Sequence, residues 1–165
     1  MVPDIRRMMI RELEAFRREV ELFPDDELLW KTAPGVTNSV GNLALHICGN
    51  LQYFLGAVIG GSGYVRDREA EFGRRSGTRA ELVNELTKTI DVVGDVLARQ
   101  DTSWLDETFP SVPNNMKVPG RSFLLHLATH LAFHLGQAGY LRRIVTGDPT
   151  SAGPLPLTPL AALTA

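Results

Sequence analysis

Residues 121–146 read RSFLLHLATHLAFHLGQAGYLRRIVT, and this stretch decides the fold. Leu124, Leu127, Ala128, Leu131, Leu135, Ala138, Leu141 and Val145 recur at three- and four-residue steps, the period of a helix with one apolar side. Three of the chain's four histidines, His126, His130 and His134, lie at steps of four within it. A helix turns roughly 100° per residue, so residues four apart stand nearly one above another, about 6 Å along the axis. Two imidazoles so placed can reach one metal ion from the same helix face.

The three cannot all point inward equally, because each step of four drifts by about 40°. Measured from the centre of the apolar stripe, His134 lies roughly 50° away, His130 about 90° and His126 about 130°. The pair favoured as ligands is therefore His130 with His134. His126 leans toward solvent or a neighbouring helix and is read as an ordinary polar residue.

Working back along the chain, three more segments carry helical periodicity. The first covers about residues 4–22, with Ile5, Met8, Met9, Leu13, Phe16 and Val20 as its stripe, charged residues on its other faces, and Pro24 beyond its end. The second covers roughly 39–59, entered through Thr37-Asn38-Ser39 and stopped by Gly60-Gly61-Ser62-Gly63. The third opens at Thr78, with Glu81 at capping-box spacing, and runs to about Gln100. Four substantial helices with no repeat and no second core imply an all-α four-helix bundle. Its domain is expected over residues 1–147, followed by a Pro-rich tail, 148–165, that is extended or disordered.

Two connections stand out. Residues 64–77 are charged and are read as a loop or helix fragment, with the RDRE run at 66–69 a solvated surface. Residues 101–120 hold Pro110, Pro113 and Pro119 around Asn114-Asn115 and are expected to form a long ordered connection before the last helix, with room for a short hairpin.

The fourth histidine, His46, lies on the second helix, about 120° from the centre of that helix's stripe, so periodicity alone does not place it inside. Asn50, one turn on, is nearer at about 80°. Asn50 and Gln137 are candidates for supporting the ligands or touching a substrate. Cys48 points away from the His46 bearing and is not expected to ligate; Trp30 and Trp104 are expected to pack.

At 165 residues, the chain is long enough to bury one core. A formal net charge of −2 gives no electrostatic reason to seek nucleic acid, and the Arg-Arg pairs, Arg142-Arg143 among them, read as solvated helix edges or ends. No apolar run is long enough to span a membrane. One cysteine permits no intramolecular disulfide, which fits a reducing compartment and makes the cytoplasm the default location. No Ser/His/Asp set, phosphate-cradling glycine loop or paired-carboxylate site is evident.

The final-helix stretch HLATHLAFHLGQAGYLRR (residues 126–143) resembles the last-helix signature of the DinB/YfiT-like superfamily of metal-dependent enzymes. In that signature the last histidine, here His134, is followed closely by Gln, here Gln137, and a basic end, here Arg142-Arg143. The resemblance extends over about residues 5–147 and matches the family's remaining ligand, from the second helix, to His46. It implies a divalent ion on His46, His130 and His134. Three neutral imidazoles leave coordination positions open, as in catalytic sites, and they suit zinc or nickel. Family members with known roles include thiol-dependent S-transferases and a mycothiol-dependent isomerase. The resemblance therefore implies a small-molecule substrate, a low-molecular-weight thiol and a transferase or hydrolase reaction. It also leans toward a homodimer. A non-catalytic bundle that the metal stabilises, or a sensor or interaction module, stays open beside it, because no acid or base is evident next to the ligands.

Overall fold

The computed structural model describes residues 1–99, 102–112, 116–153 and 155–160. Five helices carry the architecture: α1, Val2–Glu21; α2, Val40–Leu51; α3, Arg68–Gly73; α4, Arg79–Val96; and α5, Gly120–Thr146. The four long ones form the expected all-helical bundle, with α1 against α4 and α5, and α2 against α4 and α5. Among the described residues no helix is long and apolar enough to cross a membrane.

The local chemistry accounts for where the helices begin and end. Ser39 caps α2 by accepting from the Asn42 amide, and Thr78 caps α4 from Glu81, each in a reciprocal capping box. Gly147 ends α5 in the left-handed conformation, at φ 70°, which a residue with a Cβ adopts at a cost. Beyond Leu51 the second helix continues as a π-helical segment, Gln52–Ile59, closed by a bond from Gly60 N to Leu55 O at 2.8 Å. The α-periodicity expected to Ile59 thus loosens at Leu51, a departure that often accompanies functional sites.

The core runs between the helices through Met9, Leu13, Phe16, Ile47, Leu51, Leu86, Leu124 and Leu131, all fully buried. A charged pair crosses it. Arg142 is completely buried and its Nε donates to Glu19 Oε2 at 2.5 Å, tying α5 to α1. The expectation of Arg142-Arg143 as a solvated end is corrected for Arg142. The side of α1 carrying Glu19 faces α5, so the two charges are buried as a pair. Arg11, Glu12 and Glu19 are likewise buried, so the charged residues of α1 do not all stand on open faces.

Residues after α5 run back over α1: Arg142 donates to Thr150 O, Ala152 N donates to Glu19 at 3.4 Å, and Arg18 donates to Ala152 O at 3.2 Å. The connection before α5 is pinched by bonds from Phe109 N to Val118 O and from Gly120 N to Glu107 O, both 2.8 Å. The Pro113 and Asn114-Asn115 expected within it, the Gln100 end of the third helix, and Pro154 lie outside the described residues.

Candidate metal centre

Helix α5 presents His130 and His134 one turn apart, both half-buried, with exposed His126 one turn earlier. From α2, His46 meets them. One ring nitrogen of each of the three lies within 4.8 Å of the other two. His130 Nε2 stands 3.3 Å from His46 Nε2 and 3.1 Å from His134 Nε2. Two nitrogens that share an ion at about 2.0–2.1 Å are separated by about 3.3 Å in a tetrahedron and about 2.9 Å at right angles.

The periodicity of α2 did not predict His46 inside, yet it is 6% exposed. The angular argument assumes one open face, and α2 has none: α3 covers the side away from the stripe. Asn42 holds α3 there, its Nδ2 donating to Glu71 O and Arg74 O, both at 2.9 Å. Gly49 leaves the space into which Glu71 fits, since a Cβ there would collide with the carboxylate. The expected solvated surface at 66–69 is corrected at Arg66, which is largely buried; Asp67, Arg68 and Glu69 are exposed as expected.

The outer nitrogens of two of these histidines are engaged in a way that orients their inner ones. His46 Nδ1 faces Glu71 Oε2 at 3.0 Å. Arg66 clamps that carboxylate through Nε at 2.7 Å and Nη2 at 2.8 Å. A carboxylate only accepts, so His46 carries its proton on Nδ1 and its Nε2 lone pair faces the cluster. His134 Nδ1 lies 2.7 Å from Gln137 Oε1, which fixes the same tautomer. The two lone pairs meet at His130 Nε2, whose Nδ1 has no hydrogen-bond partner, and three imidazole nitrogens at this spacing are a donor set that fits a divalent ion.

The electrostatics agree. Burial, then the neighbouring His134 and His46, push the His130 pKa down to about 4, and burial also lowers that of His134. Both are neutral at pH 7, the form a metal needs. Burial works to raise the Glu71 pKa, but the hydrogen bonds from Arg66 and His46 outweigh it and hold the carboxyl below its ordinary range.

The profile of the DinB superfamily matches residues 8–138. The chain belongs to the DinB superfamily. A search of curated proteins returns no match.

In this DinB protein His46 and His130, together with His126, line a cavity of about 450 Å³. Asn50 also lines it, 7% exposed, with a buried Oδ1 that has no hydrogen-bond partner. Gln137 instead sits on the exposed side of His134. Cys48 is outside the cluster, and burial pushes its thiol up to about 12, which leaves it protonated. The tryptophans pack: Trp30 is buried against α2 and bonds Gly77 O at 2.9 Å, and Trp104 stands 6.1 Å from Phe109.

Sequence reading missed Glu71 and Arg66. Glu71 lies 25 residues from His46 on a six-residue helix, and no periodic signal marks so short an element.

Proposed function

We propose that this DinB-superfamily protein is a metal-dependent enzyme acting on a small molecule by thiol transfer or hydrolysis. The observation that carries the reading is the convergence of three imidazole nitrogens beside a cavity of about 450 Å³, a size common for small-molecule sites. His46, His130 and His134 are the ligands; zinc or nickel is the ion, and a low-molecular-weight thiol is the co-substrate of the transferase version. The chemistry the ion supplies is acidification of a bound water or thiol, towards about pH 7 for water on zinc.

The chain's own residues do the rest. Glu71 and Gln137 orient His46 and His134. Asn50 offers a hydrogen bond inside the cavity. His126, which lines the same cavity 5.6 Å ring to ring from His130, is placed to carry a proton to or from a bound substrate.

Metal analysis of the purified chain and of the His130→Ala/His134→Ala variant tests the first step. The expected result is close to one divalent ion per wild-type chain and none in the variant. Equal content in both removes the basis of the reading.

The proposal includes a homodimer and a cytoplasmic setting. Phe133, Tyr140 and Ile144 stand 62%, 70% and 62% exposed along α5, an apolar surface suited to a second copy. Sedimentation at micromolar concentration is expected to give twice the chain mass; a monomer throughout would reject the dimer. The single buried thiol fits a reducing compartment.

A further inference from the structure

The walls of the cavity divide into two chemistries. One side is apolar, formed by Phe54, Phe123, Val112 and Val118, with the two phenyl rings 4.9 Å apart edge to face. The other carries Arg66, Arg68 and Asn50. Among the described residues no carboxylate lines the cavity.

The two arginines differ in what they are free to do. Arg66 is committed to Glu71 through two short bonds. Arg68 makes no ion pair among the described residues. Its guanidinium lies 5.1 Å from the Phe72 ring, which itself lies 4.7 Å from the His46 ring. A cation held on an aromatic face keeps its donors available at the edge of the plane. Asn50 adds a buried Oδ1 acceptor with no partner, a cost that a donor group on the body of a ligand would remove.

We propose that the cavity receives an amphipathic organic oxyanion. Its charged head is directed to Arg68, Asn50 Oδ1 accepts from any donor the bound molecule carries away from that head, and its apolar body lies against Phe54, Phe123, Val112 and Val118. This names a substrate class and rests on the reading of the three-histidine cluster as a reaction centre. Charge selects the anion, because unpaired positive charge and an ion at the cluster face the same space with no carboxylate to balance them. The phenyl wall selects the body, because burying apolar surface there is favourable for any chain or ring that fits.

Four probes separate the contributions: phenylacetate, phenyl phosphate, the neutral phenylacetamide, and acetate. Binding to the full chain is measured by calorimetry or chemical-shift titration, with metal bound and again after chelation. The chelated protein removes direct ligation of the oxyanion by the ion, so that its result reports on the walls. There, at least one phenyl anion is expected to bind about tenfold or more tightly than the amide, the step typical of a charge-assisted hydrogen bond. Whichever anion binds tighter identifies the head. Acetate is expected to bind at least about tenfold more weakly than phenylacetate, as loss of the apolar body requires.

Arg68→Gln, at an exposed position that leaves the core untouched, is expected to reduce the preference over the amide to about threefold or less, as loss of a charge-assisted bond implies. Arg99→Gln, outside the cavity, is expected to leave it unchanged. Equal binding of phenylacetamide and both anions, or a full anion preference in Arg68→Gln, overturns the proposal. Metal retained without anion preference defeats this inference alone. Anion preference in a chain that takes up no metal leaves the walls as assigned and defeats the reading of the cluster.

Discussion

On the α2 side of the centre, His46 is 6% exposed and leans on Glu71, which Arg66 clamps and Gly49 makes room for. On the α5 side, His130 and His134 are half-buried, and the partner of His134 is Gln137, an exposed residue of the same helix. The same side chain is thus held in two ways. One imidazole is oriented by a buried ion pair on another segment. The other two are oriented by helix geometry and a local hydrogen bond. A buried pair is costly to break singly, because the partner left behind keeps its charge in a poor solvent. A local bond at the surface is replaced by water at little cost.

The sharpest way to break the contrast is Glu71→Ala. It strands the Arg66 guanidinium and frees the His46 ring, so metal affinity is expected to fall about 10–100-fold. Global stability is expected to fall by about 3 kcal/mol, at the low end for a broken buried pair. Competition with a chromogenic chelator and denaturant titration read the two effects. An unchanged affinity would mean that the ion pair serves the fold and not the ligand.

Gly49→Ala approaches the same contact from the other side. Its Cβ would displace the Glu71 carboxylate, and an affinity loss of about tenfold is expected, within the usual range for outer-shell damage. Gln137→Ala, the corresponding change on α5, is expected to cost about tenfold or less in affinity and little stability. If Gln137→Ala proved worse than Glu71→Ala, the comparison would be inverted.

Acid titration sharpens the α5 side. The His130 pKa lies at about 4 in the folded metal-free chain, below the ordinary 6.5. The unfolded chain therefore binds more protons between those values. This contribution to stability is complete above about pH 6.5 and is lost progressively as the pH falls towards 4. Denaturant midpoints of the chelated protein are expected to fall over that window, and His130→Gln is expected to flatten the dependence.

The smallest effect is expected at Gly136, which faces open space on α5. Gly136→Ala should raise stability by about 1 kcal/mol, the helix-propensity difference, with metal affinity unchanged. A thermal melt and the same chelator competition check it, and the pair Gly49→Ala and Gly136→Ala shows whether position or propensity governs a glycine here.

The legible and illegible parts of the molecule divide along the same line. The apolar steps of α1, α4 and α5, the capping box at Thr78 and the glycine stop after Ile59 are local patterns, and the long helices follow them. The facing of His130 and His134 is also local, because four residues on one helix keep a constant angle. His46 escaped the same reasoning because helix-stripe geometry presumes a solvent side, and α3 removes it. Arg142 escaped it too, since its charge is buried only by meeting Glu19 from another helix.

By itself, then, the order of residues determined a bundle of four long helices and a histidine pair on the last of them, since both depend on intervals of three and four along one chain. The family resemblance named His46 where intervals along its helix did not, and only the tertiary structure decided how His46 reaches that pair and that Glu71 and Arg66 stand behind it. His46 meets Glu71 from 25 residues away and His130 from 84 residues away. The first contact exists because Asn42 docks a six-residue helix that could not hold its shape alone.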